Sequence, residues 1–186
     1  TESPAWRHSE AKRLFFEAGY SSTRQLHLKL LLNSNVALKR MAIAISQMWA
    51  DLLGVKIEIV EQEYRVFLNS RKDPNQWDVI RLGWTADFND AISFLDTFRS
   101  SSPNNDSGYS NPLFDSAMDR ASNSGNAESR RTALEDAEKI MLSDFPIAPI
   151  YFYSSKRLIS SRIKGAQENA LDRLYSRSLS PLVSPE

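Results

Sequence analysis

The sequence predicts an α/β fold, a mixed sheet flanked by helices, on three observations. First, Val36–Leu53 repeats Leu38, Met41, Ile45, Met48, Trp49 and Leu52 at helical spacing. Second, strand-like runs flank it at residues 25–32 and 55–60, so strand, long helix and strand form a βαβ unit with a right-handed crossover. Third, the apolar run Trp77-Asp78-Val79-Ile80-Arg81-Leu82 ends in Gly83-Trp84-Thr85-Ala86-Asp87-Phe88-Asn89-Asp90 and restarts as a helix-like run. A buried strand that ends in a polar, aromatic loop is where open α/β sheets place ligand sites.

The elements follow in order. Residues 10–18 read as a short helix with Ala11, Leu14, Phe15 and Ala18 on one face and Gly19 as its stop. Residues 25–32 alternate at first, with His27 and Lys29 on one side, then become a leucine run that fits a fully buried strand end. Asn33-Ser34-Asn35 is turn and cap chemistry, and Gly54 closes the long helix. Met41 and Met48 on that helix read as core. Residues 63–70 form a short helix with Tyr64, Phe67 and Leu68, and residues 71–76 a polar loop. Residues 91–98 are helical. Residues 99–111 are a Ser, Asn and Gly-rich connection of the kind that is functional or mobile. Pro112 opens a helix with Phe114, Met118 and Ala121 inward. Residues 127–142 form another, with Leu134, Ala137, Ile140 and Met141 as its stripe, stopped by Asp144-Phe145-Pro146. Residues 147–153 read as an edge strand because of Pro149, and residues 155–163 as a further short strand. From Lys164 hydrophobicity thins towards Pro181 and Pro185, a tail that calls for a partner outside the sequence.

The 186 residues suffice for one domain or one lobe of something larger, and the start at Thr1 fits a processed or excised piece. Lys+Arg and Asp+Glu are both 23, so no basic excess exists to hold nucleic acid. No run is long enough to span a membrane as a helix. Cysteine is absent, which excludes disulfides and thiol catalysis, and His8 and His27 are not spaced as metal ligands. No cofactor or metal is expected.

Asp87 lies beside Trp84 and Phe88, an aromatic setting that suits a cationic ligand. The simpler alternative is that Asp87 or Asp90 caps the next helix. Arg81, in an apolar strand, either forks onto a ligand carboxylate or pairs internally with Asp78 or Asp87. Arg71 and Lys72 fit a solvated loop. Tyr64, Trp84, Tyr109 and Tyr153, at element ends, offer faces to a pocket or fill core. Asp87 and Asp90 are too close on one loop to flank a glycosidic bond.

The Gly83 to Asn89 stretch resembles the peptide-binding family of ABC-transporter solute-binding proteins, in its oligopeptide and murein-peptide branch. So do Leu53-Gly54-Val55-Lys56-Ile57, Glu61-Gln62-Glu63-Tyr64, Tyr109-Ser110-Asn111-Pro112-Leu113-Phe114-Asp115 and Phe145-Pro146-Ile147-Ala148-Pro149-Ile150-Tyr151. The match runs over roughly residues 5–163. It implies one lobe of a periplasmic-binding-protein type II fold, the second of two that close on a peptide. Residues 1–152 would be that lobe, and residues 153–186 the crossover strand and tail returning to a first lobe. The resemblance further implies that Asp87 takes the peptide α-ammonium and that Arg81 and Arg71 meet ligand carboxylates. Trp84, Tyr64, Asn104 and Tyr153 would line the cleft. Phe88 and Ala91 depart from the family's Tyr and Pro, and Leu38 stands where a histidine near the ligand's far end occurs.

The expected protein is a monomeric periplasmic or lipid-anchored extracytoplasmic component of a peptide importer. Its partners are a peptide, a membrane permease and the first lobe of the same protein, with no nucleic acid. It does no chemistry. Its ligand is left open among dipeptides, longer peptides, murein peptides, nickel chelates and haem. The alternatives are a ligand-sensing module of a regulator and a hydrolase using Asp87 and Asp90.

Overall fold

The computed structural model describes residues 3–169 and 171–182; Thr1 and Pro185 lie outside them. The chain divides into two compact units, Thr1–Gly83 and Trp84–Glu186.

The first unit is the predicted βαβ unit with an added strand. Helix α1 spans Pro4–Glu17, β1 His27–Asn33, α2 Val36–Leu53, β2 Lys56–Gln62, α3 Tyr64–Ser70 and β3 Val79–Ile80. The sheet order is β2-β1-β3. Both pairings are parallel, with His27 opposite Lys56 and Leu30 opposite Val79. Successive side chains on a strand face opposite ways. Leu30 and Leu32 therefore share one face, where they pack with Ala42 and Leu38 of α2. Leu31 is fully buried on the other face. Helix α3, with Phe67 buried, also contacts β1. Burial on both faces is why the leucine run stops alternating.

Helix α2 starts and stops where its chemistry says. Asn35 Oδ1 accepts the N–H groups of Ala37 and Leu38 at 2.9 and 3.1 Å. Gly54 takes the left-handed conformation at φ 70° and donates its N–H to Ala50. One expectation fails here: Met48 is 58% exposed and not core. At roughly 100° per residue it lies roughly 120° round the helix from the buried Ala42. It sits on the flank of the apolar stripe.

Helix α1 begins six residues earlier than residue 10, at Pro4. Ser3 Oγ accepts the Trp6 N–H and Pro4 occupies the first turn, a start signal legible in Ser3-Pro4. Its expected apolar face is only partly covered: Leu14 and Ala18 are exposed, and Phe15 packs on Tyr20 at 5.3 Å.

The second unit is a helical layer. Helix α4 spans Ile92–Leu95 and runs into a 3₁₀ turn at Asp96–Phe98; α5 spans Pro112–Ser122 and α6 Ala127–Asp144. Asn111 and Asn126 cap α5 and α6. Phe114, Ala117, Met118 and Ala121 of α5 pack with Ala133, Leu134, Ala137 and Met141 of α6, and Leu95 of α4 joins them. Four alanines across this contact let the helices approach closely. Phe145 ends α6 at φ 55°.

Past α6 the strand expectations are corrected. Residues 147–153 form no strand. Pro149 removes a donor, and no described strand lies alongside to complete a ladder. Of residues 155–163 only Ile163 enters a strand. β4, Ile163–Lys164, pairs antiparallel with β5, Ser180–Pro181, and a 3₁₀ turn at Ser176–Ser178 precedes β5. Among the described residues antiparallel pairing is confined to this ribbon, and the three-stranded sheet is parallel throughout.

Candidate functional site

Strand β3 is short, but flanking backbone bonds extend its ladder, from Asp78 N–H to Lys29 O and from Arg81 N–H to Leu31 O. The chain leaves the strands at their C-terminal ends and enters the Gly83–Asp90 loop. Ala86 is buried there. The Asp87 backbone N–H donates to Ser93 Oγ at 2.8 Å, and Ser93 is only 6% exposed. Asp90 Oδ1 accepts the N–H of Ile92, the first residue of α4, at 2.9 Å. Arg130 of α6 grips the same carboxylate with both terminal nitrogens, Nη1 to Oδ2 at 2.8 Å and Nη2 to Oδ1 at 2.9 Å. The Arg130 guanidinium holds the Asp90 carboxyl below the usual aspartate range.

Helix-start chemistry therefore belongs to Asp90. The Asp87 carboxylate is exposed and accepts no hydrogen bond or ion pair among the described residues. Trp84 and Phe88, 40% and 52% exposed, stand on either side of it in sequence. Together with Ser93, Asp96 and Asn104 they line a depression of about 230 Å³ in the second unit. A carboxylate with no partner among the described residues, sharing a depression with two aromatic side chains, can bind a cation.

The structure thus brings Trp84, Asp87 and Asn104 to one depression. Tyr109 is not among its lining. Its hydroxyl donates to Asp144 at 2.7 Å and its ring meets Phe114 edge-on at 5.5 Å. Burial and the Asp144 carboxylate push its hydroxyl up to about 12. The connection carrying Asn104 is pinned: Asn105 Nδ2 donates to the carbonyls of Arg99 and Tyr109 at 3.2 and 2.7 Å. Tyr153 is exposed in the coil after α6.

Arg71, Arg81 and Tyr64 belong to the first unit. Tyr64 opens α3, exposed, with its ring over Phe67 at 6.5 Å. The Arg71 carbonyl accepts Trp77 Nε1. Arg81 is half-buried, and among the described residues it forms neither of the internal ion pairs weighed as the alternative to a ligand contact, with Asp78 or with Asp87; Asp78 Oδ2 accepts the Lys29 N–H at 2.7 Å. A larger depression of about 330 Å³ in this unit is lined by His27, Lys29, Lys56, Glu58 and Asp78. It opens where β1 and β2 begin, the end of a parallel sheet that does not collect ligands.

Sequence reasoning missed Ser93 and Arg130. Neither carries a local signal: Ser93 reads as an ordinary helix residue, and Arg130 lies 40 positions from its partner. Among the described residues no cluster could hold a metal ion, and no helix is long and apolar enough to cross a membrane.

Comparison with known proteins fits this geometry. The model of the bacterial extracellular solute-binding proteins, family 5 middle region, matches residues 2–106. The periplasmic oligopeptide-binding protein OppA of Escherichia coli is 38% identical over 175 residues, covering 93% of this chain and 32% of its own length. The periplasmic murein peptide-binding protein MppA of the same organism is 36% identical over 173 residues, covering 92% of this chain and 32% of its own. Among solved structures, Escherichia coli MppA, a murein tripeptide binding protein, superposes with a TM-score of 0.91 at 35% identity, over 97% of this chain and 36% of that one. Haemophilus influenzae OppA in complex with RPPGFSPFR gives 0.89 at 35% identity, over 98% of this chain and 36% of that one. The chain spans about a third of the length of the curated relatives it matches.

Proposed function

The chain belongs to the family 5 bacterial extracellular solute-binding proteins, and from that premise we propose that it binds peptides for delivery to the permease of an ABC importer. It works in the periplasm, as the names of its relatives suggest, or tethered outside the cytoplasmic membrane. The observation that carries the reading is Asp87: a carboxylate with no partner among the described residues, on a loop fixed by Ser93 and Asp90. Such a group suits a peptide α-ammonium, and Trp84 and Asn104 beside it suit the adjoining backbone. In the first unit, Arg71 and Arg81 are proposed as contacts for ligand carboxylates and Tyr64 as an apolar face. Tyr153 is proposed as a further contact, and Tyr109 as a support of the connection that carries Asn104. Side-chain pockets with room for water leave selectivity to main-chain and terminal groups.

The relatives are binding proteins, and the proposal extends that to this chain: it does no chemistry. A carboxylate pair working as acid and base needs one member held protonated near neutral pH. Asp90 is held in the opposite direction by Arg130. Nothing in the fold favours the regulatory sensor over transport.

Mass spectrometry of the small molecules released on denaturing the purified full-length protein tests the proposal. Peptides with free amino termini are expected. A single non-peptide species at stoichiometric occupancy would contradict it.

A further inference from the structure

Asp87 can hold an ammonium only if its loop presents the carboxylate at a fixed place. The loop has two anchors within the second unit. One is local, the Asp87 N–H on the buried Ser93 hydroxyl. The other is distant, the two-pronged ion pair between Asp90 and Arg130 near the start of α6. Helix α6 is a firm base, because Ala133, Leu134, Ala137 and Met141 are buried against α5 and α4. The fork matters because a guanidinium with two parallel bonds fixes direction as well as distance. Asp90 joins both ends of the arrangement, since the oxygen that receives Arg130 Nη2 also accepts the Ile92 N–H.

We propose that Arg130 is a positioning residue for ligand binding: gripping Asp90, it fixes the loop on which Asp87 meets the ligand's amino terminus. Arg130 does not line the depression; it acts through Asp90. The inference rests on the reading of Asp87 as the ammonium site.

The test uses the full-length protein and two probes, tri-alanine and N-acetyl-tri-alanine. Their affinity ratio measures the contact at the ligand's amino terminus and nothing else. Asp90→Asn is the informative variant, because its side-chain oxygen still accepts the Ile92 N–H while the ion pair is lost. Arg130→Met removes the other partner, and Arg130→Lys keeps the charge without the fork. Asp90→Asn and Arg130→Met are each expected to lower the preference for the free amine about tenfold, the size of one weakened charge-assisted bond. The N-acetyl peptide should bind them as it binds the unaltered protein. The double variant should be no worse than either single one, since both remove the same link. Arg130→Lys should restore only part of the preference.

Equal weakening for both peptides would make the pair a general stability element and overturn the proposal. So would an unchanged preference in Asp90→Asn and Arg130→Met. If the unaltered protein itself does not prefer the free amine, the reading of Asp87 fails, and the inference fails with it.

Discussion

At Asp90 one carboxylate serves the Ile92 N–H and the Arg130 guanidinium together. The hydrogen bond from Arg130 is the main reason its pKa is lowered, and the ordinary value is 3.8. A lowered folded-state pKa means stability that is fully present above the unfolded value and lost as pH falls through the folded one. The pair should therefore hold through neutral pH and fail from about pH 4 downward. Urea midpoints should show Asp90→Asn less stable than the unaltered protein at pH 7, with the gap closing on acidification through that range. A gap that stays constant with pH would mean the charge is irrelevant. Much at this scale was legible and some was not. Cap and cation site looked like rival readings of one acidic loop, yet two neighbouring aspartates divide them. Asp90 serves the helix start and Asp87 is left open. The spacing of the residues says that a cap is needed but not which of two carboxylates supplies it. The answer depends on Arg130, brought in by the packing of α6. Tyr109 was legible as an aromatic at an element end; its turn towards Asp144 was not.

Elements with local punctuation were the most legible. Asn35 and Gly54 bound α2, Asn111-Pro112 opens α5, and Asn126 opens α6, all at positions their chemistry dictates. Because Asn126 Oδ1 accepts the Ser129 N–H at 2.8 Å, Asn126→Ala should destabilise the protein by about 1 kcal/mol in chemical denaturation. Phe114 is fully buried between α5 and α6. Phe114→Ala should cost about 3–5 kcal/mol by the same measurement, whereas truncation of the exposed Met48 should cost little. Elements that depend on distant pairing were least legible. Residues 147–153 carry strand-like composition without a described partner strand, while the weakly apolar Ile163–Lys164 does pair with Ser180–Pro181. Gly165 makes that ribbon possible: φ is +86°, and a Cβ would fall 1.8 Å from the Ser178 carbonyl oxygen. Gly165→Ala should free the Leu182 N–H from Arg162 O, which hydrogen exchange would detect as faster exchange of Leu182.

For the whole molecule, the helical periodicity of residues 36–53 and the βαβ pattern around it gave the fold class, and ordered sequence matches gave the family. The exposed apolar run after α6, with Phe152 98% exposed, belongs to a chain that spans about a third of its relatives' length. The same fraction bears on binding. An extended peptide takes its affinity from contacts along its length, so this chain by itself is expected to bind tri-alanine far more weakly than the full-length protein. Equal affinity of the two would show that these residues form a complete site. The central claim is that the Asp87 carboxylate receives a peptide's amino terminus. Calorimetric titration of full-length protein and its Asp87→Asn variant with tri-alanine tests it most directly. The account predicts that the variant loses at least about tenfold in affinity for tri-alanine, the scale of a charge-assisted bond, and none for N-acetyl-tri-alanine; undiminished affinity for tri-alanine would contradict it.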